Sequence, residues 1–186
     1  MPDPFDNNEK WERALLNQSI GVLAREIGAE LTAAGKHVTA AESLTGGMLC
    51  SSFVDVPGCS DWFSSGYVTY SNEAKHRMLG VSQAVLEKET AVSADTAIAM
   101  ALGALRESGA DYSLAVTGLA GPFADANGVP YPMDPRHEPG LVFVACACPA
   151  GAAVKRCVFT GSRNIIRRET VLSALEMLRK MMQYMR

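Results

Sequence analysis

The sequence predicts an α/β protein: a layered single domain with a mixed β-sheet flanked by α-helices. Three observations carry this expectation. Short apolar runs at Val38–Ala41, Phe63–Tyr70, Tyr112–Val116, Leu141–Cys148 and Val154–Phe159 have the length and composition of strands. The segments between the first three runs carry helical periodicity, the pattern of a sheet covered by helices. The last two runs are separated only by the turn at Pro149–Gly151, so they form a hairpin and the sheet is mixed rather than purely parallel.

In chain order, residues 1–12 are polar, carry Pro2 and Pro4, and are expected as a flexible N-terminal segment ahead of a domain spanning 13–186. Leu15, Leu16, Ile20, Leu23, Ile27 and Leu31 recur at helical spacing and predict an amphipathic helix over about Asn8–Ala34, stopped by Gly35. Val38–Ala41 is a buried strand, followed by a helix from Thr45 or Gly46 to about Val54 and a turn at Pro57-Gly58. Phe63–Tyr70 alternates as a strand. Asn72–Leu79 is a short helix capped by Ser71 or Asn72, and Ser82–Lys88 is another. Ser93 opens a longer helix that ends at Gly109, and Tyr112–Val116 is the next strand. Residues 118–139 form a long irregular loop rich in Gly and Pro. After the hairpin, Asn164–Met185 is a helix with Ile165, Val171, Leu172, Leu175, Leu178 and Met182 on its apolar side.

A chain of 186 residues suits one domain with a real core, and 48% hydrophobic with 20% charged residues is an ordinary globular balance. A net charge of −3 and a pI near 5.6 give no reason to expect a nucleic-acid surface. The basic stretch Arg163 to Arg168 reads as a solvated helix start. Five cysteines, an odd count without a secretory signal, point to free thiols in a reducing compartment; Cys146 and Cys148 alternate onto one face of a strand. No Cys pair has zinc-site spacing, and His37, His76 and His137 are scattered, so no metal is expected. No apolar run has the length to cross a bilayer, which predicts a cytoplasmic protein without a membrane partner. The apolar helix faces are open to a homo-oligomer as well as to the core.

The chemistry is expected where the first strand gives way to a helix, at Ala41-Glu42-Ser43-Leu44-Thr45-Gly46-Gly47. Open α/β sheets bind ligands at such places. Backbone N–H groups at a helix start are unpaired and favour a developing negative charge. Gly46 and Gly47 let a substrate approach the backbone, and no Gly-Lys-Ser/Thr ending marks a phosphate loop. Ser43 is therefore either a nucleophile, with nearby amides as its oxyanion donors, or simply an N-cap, for which Thr45 is a second candidate. A serine nucleophile needs a base. No histidine lies near a recognisable motif, whereas Lys75 falls on the first turns of the helix after the second strand. Partly buried there, it would have a lowered pKa and offer a neutral amine; solvated, it would be an ordinary helix lysine. Tyr70, at the end of the same strand, is placed to relay a proton or fix the geometry.

Read together, these segments resemble the C-terminal domain family of the competence/damage-inducible protein CinA, which also occurs as a free-standing nicotinamide-mononucleotide deamidase. The pieces that carry the resemblance are Ala41 to Gly47, Pro57-Gly58-Cys59-Ser60 with Trp62-Phe63, and Gly66 to Lys75. Met78-Leu79-Gly80-Val81, Ala91-Val92-Ser93, Ser108 to Asp111 and Val116 to Pro122 follow in order. The resemblance implies Ser43 as nucleophile, Lys75 as base and Tyr70 as assisting residue, with no metal or organic cofactor. It implies hydrolysis of the carboxamide of nicotinamide mononucleotide, a small pyridine nucleotide, to nicotinic acid mononucleotide and ammonia. Glu42, Thr45, Gly46, Gly47, Asn72, Thr117, Gly118, Gly121 and Arg163 are the candidates for holding that substrate. Gly118 to Gly121 or Arg163 suit its phosphate on chemical grounds. After Pro122 the glycine-rich continuation of the family gives way to Phe123-Ala124-Asp125-Ala126-Asn127-Gly128 and the stiffer stretch to Pro139. This departure bears on the substrate more than on the nucleophile. An amidase for another carboxamide, or a ligand-binding or oligomeric module without turnover, are the alternatives.

Overall fold

The computed structural model describes residues 6–121 and 138–185. Among them, helices α1 (Asp6–Ala34), α2 (Met48–Val54), α3 (Asn72–Leu79), α4 (Gln83–Lys88), α5 (Ala94–Ser108) and α6 (Arg163–Tyr184) enclose one sheet. Its strands are β1 (Val38–Glu42), β2 (Phe63–Val68), β3 (Tyr112–Gly118), β4 (Leu141–Cys148) and β5 (Gly151–Val158), in the spatial order β2-β1-β3-β4-β5. β1 runs parallel to β2 and β3, while β4 and β5 are antiparallel additions. The expected layered domain with a mixed sheet is what forms.

Strand alternation divides the core into two unlike faces. Val38, Ala40, Leu114, Val116, Val142, Val144 and Cys146 point toward α1, α2 and α6. Ala41, Ala115, Ala145 and Ala147 point the other way, against Ala97, Met100, Ala101 and Ala104 of α5. Small residues on that face let α5 lie close to the sheet, and the Ser113 hydroxyl donates to the Ala101 carbonyl at 2.6 Å. Cys146 and Cys148 are both buried, as alternation required, and all five thiols are free. β1 is buried along its whole length, in keeping with a central parallel strand covered on both faces.

Several elements are set by local chemistry. The hydroxyls of Ser71, Ser82, Ser93 and Ser162 each accept from the amide three residues on and open α3, α4, α5 and α6. α1 and α6 run side by side in the same direction, tied by Glu9–Ser162, Asn17–Arg168 and Glu26–Arg179.

The sequence reading needs correction in four places. α1 begins at Asp6, so the polar segment assigned to residues 1–12 is helical from that residue onward. Leu15 is exposed, because the buried stripe is Leu16, Ile20, Leu23, Ile27 and Leu31, and Leu15 lies about 100° round the helix from Leu16. α2 starts only at Met48, after a tight turn over residues 44–47. β2 ends at Val68, leaving Thr69 and Tyr70 in the connection to α3. The loop read over 118–139 lies largely outside the described residues.

Candidate active site

β1 lies between β2 and β3, and the chain leaves β1 and β2 toward opposite faces of the sheet: α2 packs with α1 and α6, α3 with α5. A crevice at the carboxyl ends of these strands is the usual binding place in such a sheet. Ser43 sits there, one residue past β1, with its amide bonded to the Val116 carbonyl of β3 at 3.0 Å. Its hydroxyl is five residues upstream of α2 and caps no helix; Gly47, with φ 95°, holds the N-cap position without a side-chain cap. The N-cap reading of Ser43 and of Thr45 therefore falls away.

Lys75 is the second half of the site. It is fully buried, against the alternative of a solvated helix lysine, because the second turn of α3 directs it under the strand ends. Its Nζ donates to Ser43 Oγ at 3.2 Å, to the Thr69 carbonyl at 2.7 Å and to the Tyr70 carbonyl at 3.4 Å. Three acceptors match the three N–H bonds of an ammonium. None of the three is charged, and burial lowers the lysine pKa from 10.5 to about 8. Two of the partners are carbonyls, which only accept. When the ammonium loses a proton, its lone pair therefore has one place to turn, the Ser43 hydroxyl. Among the described residues no imidazole and no carboxylate bonds either group; His76 is engaged with the Val81 carbonyl at 2.8 Å and His37 lies beside Asp111. The nearby Cys50 thiol is pushed up by burial and by the Glu42 carboxylate, which keeps it protonated.

Glu42 has a role that the sequence reading missed. The sequence offers it as a substrate contact; in the structure it is fully buried and its carboxylate accepts from the amides of Gly47, Leu49 and Cys50 at 2.9, 3.1 and 2.8 Å. A carboxylate from the preceding strand thus stands in for the missing N-cap, and the helix-start amides expected to serve an oxyanion are already taken. The Gly46 amide bonds Ser43 O at 3.2 Å and the Met48 amide bonds Thr45 O at 3.3 Å. In this turn the amides of Leu44 and Thr45 remain without a bond among the described residues.

The remaining candidates divide. Thr45 is fully buried with its hydroxyl unpartnered, and its carbonyl accepts from Arg167 Nη2 at 2.6 Å. Gly46 and Gly47 take positive φ values of 58° and 95°, the reason glycine stands at both. Tyr70 reaches Lys75 only through its carbonyl, and the residue is 67% exposed. Asn72 is exposed at the start of α3 and lines, with Glu73, His76, Gln83 and Glu87, a cavity of about 420 Å³. Thr117 is buried and its hydroxyl is spent on the Ala91 carbonyl at 2.5 Å. Gly118 is bare for packing, not for ligand: a Cβ there would stand 2.5 Å from the Leu141 carbonyl oxygen of β4. Gly121, at φ 135°, lies against the backbone of Arg163, whose residue is exposed in the first turn of α6. The basic stretch at Arg163 to Arg168 is not uniformly solvated, since Arg167 turns inward to the turn that follows Ser43. Sequence offered no sign of this beyond a four-residue spacing from Arg163. Among the described residues no group of three His, Cys, Asp or Glu side chains could hold a metal ion, and no helix is long and apolar enough to cross a membrane.

A family model described as CinA C-terminal domain matches residues 21–182. Over 157 residues the chain is 39% identical to the nicotinamide-nucleotide amidohydrolase PncC of Escherichia coli (strain K12), covering 84% of this chain and 90% of that one. It is 45% identical over 146 residues to a CinA-like protein of Geobacter sulfurreducens, covering 78% of this chain but only 33% of that longer relative. The crystal structure of the competence/damage inducible protein CihA from Agrobacterium tumefaciens superposes with a TM-score of 0.80 at 38% identity, covering 87% of this chain and 94% of that chain.

Proposed function

The chain belongs to the CinA C-terminal domain family, and from that premise we propose that it is an amidohydrolase that converts nicotinamide mononucleotide to nicotinic acid mononucleotide and ammonia. The observation that carries the reading is the buried contact of 3.2 Å between Ser43 Oγ and Lys75 Nζ, with no acid among the described residues to hold the lysine charged.

In this reading, neutral Lys75 takes the proton of Ser43 as Oγ attacks the carboxamide carbon. The tetrahedral oxyanion is held by the amides of Leu44 and Thr45, the pair that the turn leaves over. Collapse returns the proton from Lys75 to the departing ammonia and leaves a nicotinoyl ester on Ser43. Water then attacks the ester, Lys75 again takes a proton, and the acid leaves with Ser43 restored. The Thr69 and Tyr70 carbonyls keep Lys75 aimed at Ser43 in both protonation states. Exposed Tyr70 is the aromatic residue next to the site that we assign to the pyridine. Arg163 beside Gly121 is the cation available to a phosphate. The test is ammonia release from nicotinamide mononucleotide by the purified chain. Product is expected from the wild type and a loss of about 10³-fold or more in Ser43→Ala and in Lys75→Ala. An active Ser43→Ala variant would remove the mechanism, and activity on other carboxamides alone would replace the substrate.

A further inference from the structure

We infer that Arg167 is a positioning residue of this amidase: reaching from α6, it holds the turn that presents Ser43 and its two free amides. The inference rests on the amidohydrolase reading above.

Arg167 is separated from Thr45 by 122 residues, yet its Nη2 donates to the Thr45 carbonyl at 2.6 Å. Three other arginines meet acids: Arg106 pairs with Glu107, Arg156 with Glu138 and Arg179 with Glu26, while Arg168 bonds the Asn17 side chain at the surface. Arg167 pairs with no carboxylate among the described residues, and its Nε is buried without a partner. A guanidinium kept half-buried in this way is poorly explained by fold stability, since an apolar side chain of similar size would fill the place at no desolvation cost. Among the described residues its hydrogen bond goes to the nucleophile turn.

That turn needs holding. Gly46 and Gly47 both take positive φ, so the backbone between Ser43 and α2 has the freedom of two consecutive glycines. Two opposite charges fix it from either side. Glu42 takes the Gly47 amide at 2.9 Å, and Arg167 takes the Thr45 carbonyl at 2.6 Å. These bonds pin the peptides that flank Gly46. Thr45 also carries one of the two free amides, so rotation about its own backbone bonds moves an oxyanion donor. Without Arg167 the glycine side of the clamp remains, but the Thr45 carbonyl loses its short bond and keeps only the longer one from the Met48 amide at 3.3 Å. Displacements of about 1 Å at a reacting centre cost on the order of 10²-fold in rate.

Arg167→Met and Arg167→Lys are compared with wild type for kcat, KM and thermal midpoint on nicotinamide mononucleotide. A positioning role lowers kcat about 30–100-fold in the Met variant, moves KM less than about threefold and leaves the midpoint nearly unchanged. The Lys variant, which keeps one donor, regains about tenfold. A Met variant with kcat within about threefold of wild type overturns the inference. So does a large rise in KM at unchanged kcat, which would make Arg167 a substrate contact. If the wild type leaves the nucleotide intact, the amidase reading fails on its own. Arg167 is then judged by the rate at which phenylmethylsulfonyl fluoride modifies Ser43, followed by mass spectrometry: slow in Met and restored in Lys supports the clamp, equal rates in all three refute it. Should the Met variant not fold, the Lys variant alone is read against wild type on the same two scales.

Discussion

The starts of α2 and α3 lie at the ends of neighbouring strands, and each has one fully buried ionisable side chain beside it. α3 is capped locally: the Ser71 hydroxyl accepts from the Ala74 amide at 3.0 Å, leaving Lys75 to reach across to Ser43. α2 has no such cap, and the Glu42 carboxylate from β1 takes three of its amides. The two charges are accommodated in opposite ways. Glu42 is surrounded by donors that want a negative charge, so it is fixed and works as structure. Lys75 is surrounded by neutral acceptors in a buried place, so it sheds its proton easily, which is what the proposed mechanism asks of a base. The difference teaches that burial alone does not mark a catalytic group; what matters is whether the partners hold its charge in place.

Exchanging each group tests that contrast. Lys75→Met should fold normally, since it removes a burial penalty, while ammonia release falls about 10³–10⁴-fold. A retained rate would place the base elsewhere. Glu42→Ala should act first on stability, leaving three amides without an acceptor and lowering the unfolding free energy by about 3–5 kcal/mol in a urea titration. An unchanged midpoint would remove Glu42 from the structural side of the comparison.

The pH dependence separates the two groups next. With a folded pKa near 8, Lys75 becomes a free base as pH rises, so kcat/KM should climb and level off above about pH 8. Stability should follow with a definite sign. Below pH 8 the lysine is charged in both the folded and unfolded chain and its burial penalty is fully present. Between about 8 and the ordinary 10.5 the folded chain alone sheds the proton, so Lys75 adds stability as pH rises. The wild type minus Lys75→Met difference in unfolding free energy should show that rise, and a flat difference would contradict the burial argument. The smallest effect is expected at Tyr70. Because only its carbonyl touches Lys75, Tyr70→Phe should cost less than about tenfold in kcat, and a loss above 100-fold would bring the hydroxyl into the chemistry.

Short-range signals made most of the fold legible. Serine caps at Ser71 and Ser93 act within three residues, and the strand runs and the Pro149–Gly151 turn are local patterns. Residue types alone favour an N-cap for Ser43 and a solvated helix position for Lys75, and it is the family resemblance that pairs the two. What stayed hidden depends on distance along the chain. The Glu42 carboxylate caps amides five to eight residues ahead, outside any usual capping pattern. Arg167 meets Thr45 from another layer, and the basic residues around it look like a solvated face. Leu15 and Leu16 are equally apolar in sequence, and only the packing of α1 on α6 and α2 decides that Leu16 is buried.

Ser43 and Lys75 are held to act as one unit, and a cycle of Ser43→Ala, Lys75→Met and the double variant on nicotinamide mononucleotide reads this most directly. If hydroxyl and amine form a single device, each single variant already sits at the floor and the double variant is no slower than either. Losses that multiply in the double variant, or a single variant that keeps wild-type turnover, would contradict it.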